Sequence, residues 1–139
     1  MVARKERTLL IEVHSLDAAA APPPSAALHE ELREAAQRSG ALADGAVLQA
    51  RHYSREARLC AVRTTLGASR AVSTAIKSIR FVKHSPVRLA VVRAYGNERL
   101  ARRAFAARLE AALQADGVEL STRRALREQL EKLGELQKA

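Results

Sequence analysis

Four short segments rich in aliphatic and β-branched residues, separated by polar turns, predict the strands of a β-sheet. Within each segment polar residues tend to alternate with apolar ones, which is typical of strands that bury one face. The predicted strands are Thr8–Ser15, Ala46–Ser54, Arg58–Thr64 and Pro86–Tyr95. Only three residues separate the second strand from the third, so we expect these two to form a hairpin.

Apolar residues at helical spacing predict four helices. The first follows three consecutive prolines, which cannot lie inside a helix, and Ser25 is placed to cap it. The second is predicted over Ala68–Ile79 and is followed by a basic loop over residues 80–85. The last two are predicted over about 97–115 and 121–137.

The fourth helix carries a stripe of leucines on one side. Burying a leucine is worth roughly 1.5–3 kcal/mol, so the stripe must pack against either the chain's own sheet or a partner protein. Acidic and basic residues nearly balance on this helix, so it offers a charged partner little net attraction, and we predict a docking role for it. The stripe consists of Leu126, Leu130 and Leu133. Gly117 is expected to end the preceding helix, and Ser121 or Thr122 to cap this one.

The order of the predicted elements is β-α-β-β-α-β-α-α. Its first six elements correspond to the split β-α-β arrangement of ferredoxin- and RRM-like folds, in which a four-stranded sheet lies on two helices. We therefore predict an α/β (α+β) sandwich of this kind, forming a single domain over residues 1–139 with a core at about 7–96. The two C-terminal helices are an addition, expected on the free face of the sheet or at its edge.

Composition narrows the class of protein further. Aromatic residues make up 3% of the chain, so the core must be built from aliphatic residues and alanine. No apolar run approaches the roughly 18 residues of a membrane span, and the N-terminus lacks the apolar region of a signal peptide. Cys60 is the only cysteine, which excludes an intrachain disulfide and fits a reducing compartment.

Positive charge is concentrated in the middle of the chain. Residues 51–108 contain 14 lysines and arginines against two glutamates, a balance of +12, whereas the remainder has a balance of −3 and the whole chain +9. A basic segment of this kind favours a surface that binds a polyanion, and nucleic acid is the polyanion we expect. A membrane partner is disfavoured, because no helix pairs a basic face with bulky aromatic residues.

No set of residues in the sequence resembles a catalytic or metal site. Cys60 lies mid-strand without a neighbouring histidine, and we expect a buried structural thiol. The four histidines fall on separate elements without ligands at metal spacing, and the glycines form no phosphate-binding loop. We therefore predict no catalytic residue, no metal, no cofactor and no small-molecule substrate.

The predicted interface binds RNA through its phosphates. The first and third strands carry aliphatic residues where an RRM-type sheet has aromatic ones, and Tyr53 and Tyr95 are isolated, so base stacking on the central strands is not expected. Arg51 and Tyr53 are predicted to point to the same face of their strand. Arg63 and Arg93, on neighbouring strands, are candidates for the same surface. The alternative is that these arginines pack over apolar surface and meet the added helices.

The third helix carries three arginines on the side opposite Leu100 and Phe105, with Glu98 as the one nearby acid. We expect this side to face RNA. The complete set of predicted RNA-binding residues is Arg51, Arg63, Arg70, Lys77, Arg80, Lys83, Arg88, Arg99, Arg102 and Arg103.

Several segments, in this order and spacing, resemble the Pop-five family of small protein subunits of ribonuclease P and ribonuclease MRP, to which Rpp-fourteen is related. They are ERTLLIEV, HYSREARLCAVRTT, TAIKSIRFV and SPVRLAVVRAYG followed by a basic helix, and they span Glu6 to Phe105. Three positions match the family pattern: Arg7 before the first strand, Arg63 late in the third and Gly96 after the fourth. The chain departs from the family in having Tyr95 and Asn97, rather than small hydroxyl residues, beside that glycine.

This resemblance implies a non-catalytic subunit that assists a catalytic RNA in removing the 5′ leader from precursor tRNA and in processing rRNA. It also implies contact with that RNA, a TIM-barrel partner subunit of the Rpp-thirty type and other subunits. The location would be the nucleus and nucleolus in a eukaryote and the cytoplasm in an archaeon. Two alternatives remain at this point: a ribosomal or ribosome-associated protein that binds rRNA, and a protein-interaction module without RNA.

Overall fold

A computed structural model describes residues 5–17 and 21–138, in which five strands and four helices follow one another. The strands are β1 Glu6–Ser15, β2 Leu48–Ser54, β3 Leu59–Thr65, β4 Phe81–Val82 and β5 Ser85–Tyr95. The helices are α1 Ser25–Arg38, α2 Ser69–Lys77, α3 Glu98–Gln114 and α4 Leu120–Lys138. Short 3-10 turns lie at Ala43–Gly45 and Leu66–Ala68.

The strands form one sheet in the order β2-β3-β1-β5-β4, and all paired neighbours are antiparallel. The long β1 lies in the centre, with β3 on one side and β5 on the other. Without the two-residue β4, this is the strand order that a split β-α-β fold requires. The predicted ferredoxin-like α+β fold is therefore confirmed.

The first core lies between one face of the sheet and helices α1 and α2. Alternation along β1 points Leu9, Ile11 and Val13 to this side, and each is at most 1% exposed. Val72 and Ile76, four residues apart on α2, are both fully buried in the same cluster. Aliphatic side chains thus fill this layer, as the low aromatic content requires.

The second core lies on the opposite face of the sheet, under helices α3 and α4. Leu10 of β1 and Phe105 of α3 meet Leu126 and Leu133 of α4 in one buried cluster, and Leu130 packs against it. The leucine stripe therefore packs against the chain's own sheet, together with α3. Leu126 is 0% exposed and Leu133 4%, so neither offers a surface for the partner protein that the sequence also allowed.

A β-bulge in β2 changes the side to which its residues point. The register with β3 shifts between Ala50 and His52, so Arg51 is an extra residue in the strand. Arg51 and His52 both reach towards α3, whereas the Tyr53 hydroxyl donates to the Pro23 carbonyl, 2.6 Å away, beside α1. The prediction that Arg51 and Tyr53 share one strand face is therefore wrong.

The segment predicted as a basic loop over residues 80–85 contains a small hairpin instead. Phe81 pairs with Pro86, and Val82 pairs with Ser85. The two turn residues, Lys83 and His84, have φ angles of 47° and 70°. Both central residues of a tight hairpin turn need positive φ, which normally selects asparagine or glycine, so the sequence carried no signal for this turn.

Helix ends differ from the predictions where a side-chain cap was expected. Ser25 is the first residue of α1 rather than its cap, and α4 begins at Leu120, before the hydroxyl residues expected to cap it. Asn97 does cap α3, because its Oδ1 accepts a hydrogen bond from the Arg99 amide at 2.7 Å. Gly117 adopts a φ of 76°, but α3 has already ended at Gln114.

Candidate nucleic-acid interface

Two of the predicted RNA-binding arginines make contacts inside the chain, one between the sheet and α3 and the other between α3 and α4. The bulge brings Arg51 to the start of α3, where its Nε donates to Glu98 Oε1 at 2.7 Å. Arg102 lies 3.5 Å from the Leu136 carbonyl in the last turns of α4. The Arg51 contact is the alternative role considered for strand arginines, and contact of Arg51 or Arg102 with RNA stays a prediction.

The three residues that match the family pattern lie at the same end of the sheet, Arg7 on its first face and Arg63 on its second. Thr8 pairs with Arg63 on one side and with Tyr95 on the other, so β1 separates Arg63 from Gly96. A Cβ added at Gly96 would lie 3.2 Å from Nη1 of Arg7, so the glycine allows this guanidinium to approach the backbone closely. A cavity of about 240 Å³ lies here, lined by Glu6, Thr8, Arg63, Tyr95, Gly96 and Glu98.

Arg63 is itself engaged within this end of the sheet. Its Nε lies 3.3 Å from Glu6 Oε2, an ion pair that lacks hydrogen-bond alignment, and its Nη2 donates to the Gln49 side chain. Only about a quarter of the side chain is exposed, at 26%. The three family positions are far apart in the sequence, and the pairing of β1 with both β3 and β5 brings them to one end of the sheet.

Five other predicted residues are exposed and unpaired. Within residues 5–17 and 21–138 their side chains form no hydrogen bond and no ion pair. We call this set the basic edge. It consists of Arg70, Lys77, Arg80, Lys83 and Arg88.

The fold carries the basic edge around one margin of the sheet. Arg70 and Lys77 project from α2, which packs against β5 on the first face of the sheet. Arg80 and Lys83 belong to the hairpin that forms the margin. Arg88 alternates with the buried Val87 and Leu89, so its side chain points to the second face. A phosphate chain crossing this margin would meet cations on both faces and at the turn.

A shallow groove along α2 adds hydroxyl groups to these cations. It has a volume of about 240 Å³ and is lined by Ser69, Arg70, Ser73, Thr74, Lys77, Leu9, Val91 and Ala94. Hydroxyl groups next to arginine and lysine are common phosphate contacts, and they fix the position of a backbone without reading its sequence.

Arg99 and Arg103 form a second, smaller group on α3. They lie one helical turn apart, are exposed and are unpaired through their side chains in the described part of the chain. Arg102 is directed at α4 instead, and Leu100, expected on the apolar side, is 49% exposed. The prediction that three arginines share one free helix side is therefore wrong for Arg102.

The two glutamates of the basic segment and Glu12 of the central strand have partners within the chain. Glu98 accepts from Arg51, and Glu56, in the turn between β2 and β3, accepts from the neutral Gln129 amide at 3.1 Å. Arg108 Nη1 donates to Glu12 Oε2 at 2.7 Å, and this hydrogen bond lowers the pKa of Glu12 below its ordinary value. The acids of this region therefore do not neutralise the basic edge.

The remaining titratable groups have structural surroundings. Cys60 is 1% exposed, and burial raises the pKa of its thiol to about 12, which confirms the predicted buried thiol. In the described ranges no three side chains of His, Cys, Asp or Glu come together in a way that could hold a metal ion. Over the same ranges no helix is both long and apolar enough to cross a membrane.

Comparison with known proteins finds a likeness in structure. This chain is similar to a chain in a cryo-EM structure of yeast ribonuclease MRP, with a TM-score of 0.56 and 16% sequence identity. The two chains share one fold. The match covers 99% of this chain and 98% of that chain, so it extends through the added helices α3 and α4. Neither the models of known protein families nor the curated proteins give a match.

Proposed function

We propose that the protein is a non-catalytic, RNA-binding subunit of a ribonucleoprotein of the ribonuclease P or MRP kind. In this role it neutralises phosphates and holds the fold of a catalytic RNA, which removes the 5′ leader of precursor tRNA or processes rRNA. The observation that carries the proposal is the basic edge, five exposed cations without acidic partners among the residues that the structure describes. The end-to-end likeness to a chain of yeast ribonuclease MRP supports this type of ribonucleoprotein.

The geometry of the basic edge favours recognition of shape and charge over sequence. Each cation that neutralises a phosphate releases counterions, so the logarithm of affinity falls with the logarithm of salt by about 0.7–0.9 per contact. Arginine adds a planar fork that binds two phosphate oxygens at once. Five such contacts predict a salt slope of about −4.

The test removes charge from the centre of the basic edge. The triple variant Arg80→Gln, Lys83→Gln, Arg88→Gln should weaken binding of a labelled, structured RNA and reduce the salt slope by about 2–3, measured by fluorescence anisotropy at several salt concentrations. These side chains are exposed and unpaired, so we expect urea unfolding to be almost unchanged.

A matched control removes the same charge elsewhere. Arg33, Arg124 and Arg127 are also exposed, but they lie on α1 and α4 and not on the hairpin or β5. Changing these three to glutamine lowers the net charge equally and should alter the slope much less. Equal losses in the two triple variants, or a wild-type affinity that does not respond to salt, would refute an interface at the basic edge.

The RNA recovered with the tagged protein from its own cells identifies the ribonucleoprotein. We expect ribonuclease P or MRP RNA, together with a TIM-barrel subunit of the Rpp-thirty type. The expected location is the nucleus and nucleolus in a eukaryote or the cytoplasm in an archaeon. Recovery of rRNA within ribosomes would favour a ribosomal protein instead, and recovery of protein partners without RNA would favour an interaction module.

A further inference from the structure

The two phenylalanines of the chain have opposite surroundings. Phe105 is 2% exposed in the second core, where its ring meets the His52 ring at 5.5 Å between centroids. Phe81, the first residue of β4, is 57% exposed. Single exposed apolar residues are common and need no special explanation. A role for Phe81 therefore has to be argued from its position in the fold.

The pairing of β4 with β5 fixes the direction of the Phe81 ring. Val82, the next residue, is 1% exposed in the first core, so Phe81 points to the second face of the sheet. It is paired with Pro86, and Arg88 follows Pro86 on the same face. The exposed fractions of Phe81 and Arg88 show that α3 and α4 leave this part of the second face uncovered.

Two members of the basic edge are close to Phe81 in the chain. Arg80 precedes it and Lys83 follows two residues later, both exposed and unpaired within the described part of the chain. The turn holds Lys83 and His84 at positive φ, a conformation that is costly for residues other than glycine and that is often retained at binding sites. A short, paired hairpin thus presents an aromatic face between cations.

We propose that Phe81 is a stacking platform for an unpaired RNA base, and that Arg80, Lys83 and Arg88 hold the phosphates on either side of it. The inference rests on the proposed function and adds to it the class of RNA bound, a single-stranded or looped segment. Every base has a π-face, so one exposed ring stacks any base without selecting its sequence. Cations beside the ring favour this occupant over a protein, whose apolar segment would gain nothing from them.

The location of the platform has a structural reason. An RRM-type sheet stacks bases on aromatic residues of its central strands. Here the corresponding face carries Leu10 and Leu59, which are 2% and 1% exposed beneath α3 and α4. The margin formed by β4 and β5 is the part of that face that an RNA base is able to reach.

The first test uses the absence of tryptophan from the sequence. In the full chain, Phe81→Trp introduces a single tryptophan, which is excited at a longer wavelength than the two tyrosines and which a stacked base should quench. We expect unstructured single-stranded RNA to quench it and a fully paired RNA duplex of the same length to leave it bright. Leu120→Trp is the control, since Leu120 is 70% exposed and distant from the hairpin in sequence, and it should not be quenched.

The second test measures affinity. Phe81→Ala should weaken binding of the single-stranded RNA about 5- to 150-fold, while Phe81→Trp should keep it. The salt slope should stay the same in both variants, because no charge is removed. Duplex binding should also stay the same, and circular dichroism should confirm that both variants fold.

The outcomes separate this inference from the proposed function. If the wild-type chain binds no RNA, both fail. Suppose instead that the wild type binds RNA with a steep salt slope. If Phe81→Ala then binds RNA with the same affinity as the wild type, or if the tryptophan of Phe81→Trp is not quenched, the stacking platform is wrong and the proposed function stands. Loss of a protein partner by Phe81→Ala, with single-strand affinity unchanged, would overturn the platform in favour of a protein contact.

Discussion

Truncating Leu126 to alanine should reveal how strongly α4 belongs to the fold. Leu126 is 0% exposed and lies in the second core with Phe105 and Leu109. Leu→Ala changes at fully buried positions cost about 3–5 kcal/mol, which combines the lost transfer free energy with the cavity that remains. Whole domains are stable by only about 5–15 kcal/mol, so this one change should remove a large part of the total.

Urea unfolding followed by far-UV circular dichroism measures this loss. With a slope of about 1–3 kcal/mol per molar urea, the midpoint should fall by about 1–5 M and the slope should not change. Leu130→Ala, at a half-buried position of the same stripe, should cost less. Leu120→Ala, at a residue that is 70% exposed, should change stability by no more than about 0.5 kcal/mol.

Two results would refute this reasoning. A loss below about 1 kcal/mol for Leu126→Ala would mean that the second core contributes little to the stability of the fold. An early separate transition, with the main midpoint unchanged, would mean that α3 and α4 unfold on their own. The salt slope of RNA binding should be unaffected in every case, because none of these changes alters charge.

Two further predictions concern buried groups. Burial, together with the Arg51 charge, lowers the pKa of His52 below 6.5. Above pH 6.5 the ring is neutral in both the folded and the unfolded chain, so it costs no stability. Below pH 6.5 the unfolded chain takes up a proton that the folded ring resists, so the free energy of unfolding falls. His52→Phe should reduce this fall in the urea midpoint between pH 6.5 and about 5, and an unchanged fall would contradict it. Burial raises the pKa of the Cys60 thiol to about 12, so an aromatic disulfide reagent at neutral pH should modify it only as fast as the chain opens. Leu126→Ala should accelerate that modification, whereas immediate reaction of the native wild type would show that the thiol is accessible.

The layout of the fold could be predicted because the apolar pattern is consistent from one element to the next. Alternation in the first strand and helical spacing in the last helix each identified residues that are now buried, among them Ile11 and Leu126. The irregular features could not be predicted. The bulge at Arg51 inserts one residue without a glycine or proline to mark it, and the turn at Lys83 and His84 lacks the residues that favour positive φ.

The basic residues of the candidate site could be predicted from the sequence, but their positions relative to one another and their ion pairs could not. The sequence shows which segment is basic, but not which cations are paired, because the pairing depends on contacts between distant residues. Arg51 meets Glu98 47 residues further on, and Glu12 meets Arg108 96 residues further on. Phe81 gave no signal either, since a phenylalanine next to a valine in a short apolar segment is equally consistent with a buried position.

The central place of β1 in the sheet has a consequence for the synthesis of the chain. Ile11 has Cys60 on one side and Val91 on the other, so one edge of this aliphatic strand has no partner until β5 has been made. At about 5–20 residues per second, the 80 residues between Ile11 and Val91 take about 4–16 s to translate. During that time an open apolar edge is a template for pairing with other nascent chains. We therefore expect the yield of this protein in a foreign host to respond to chaperone capacity and translation speed as well as to the stability of the finished fold.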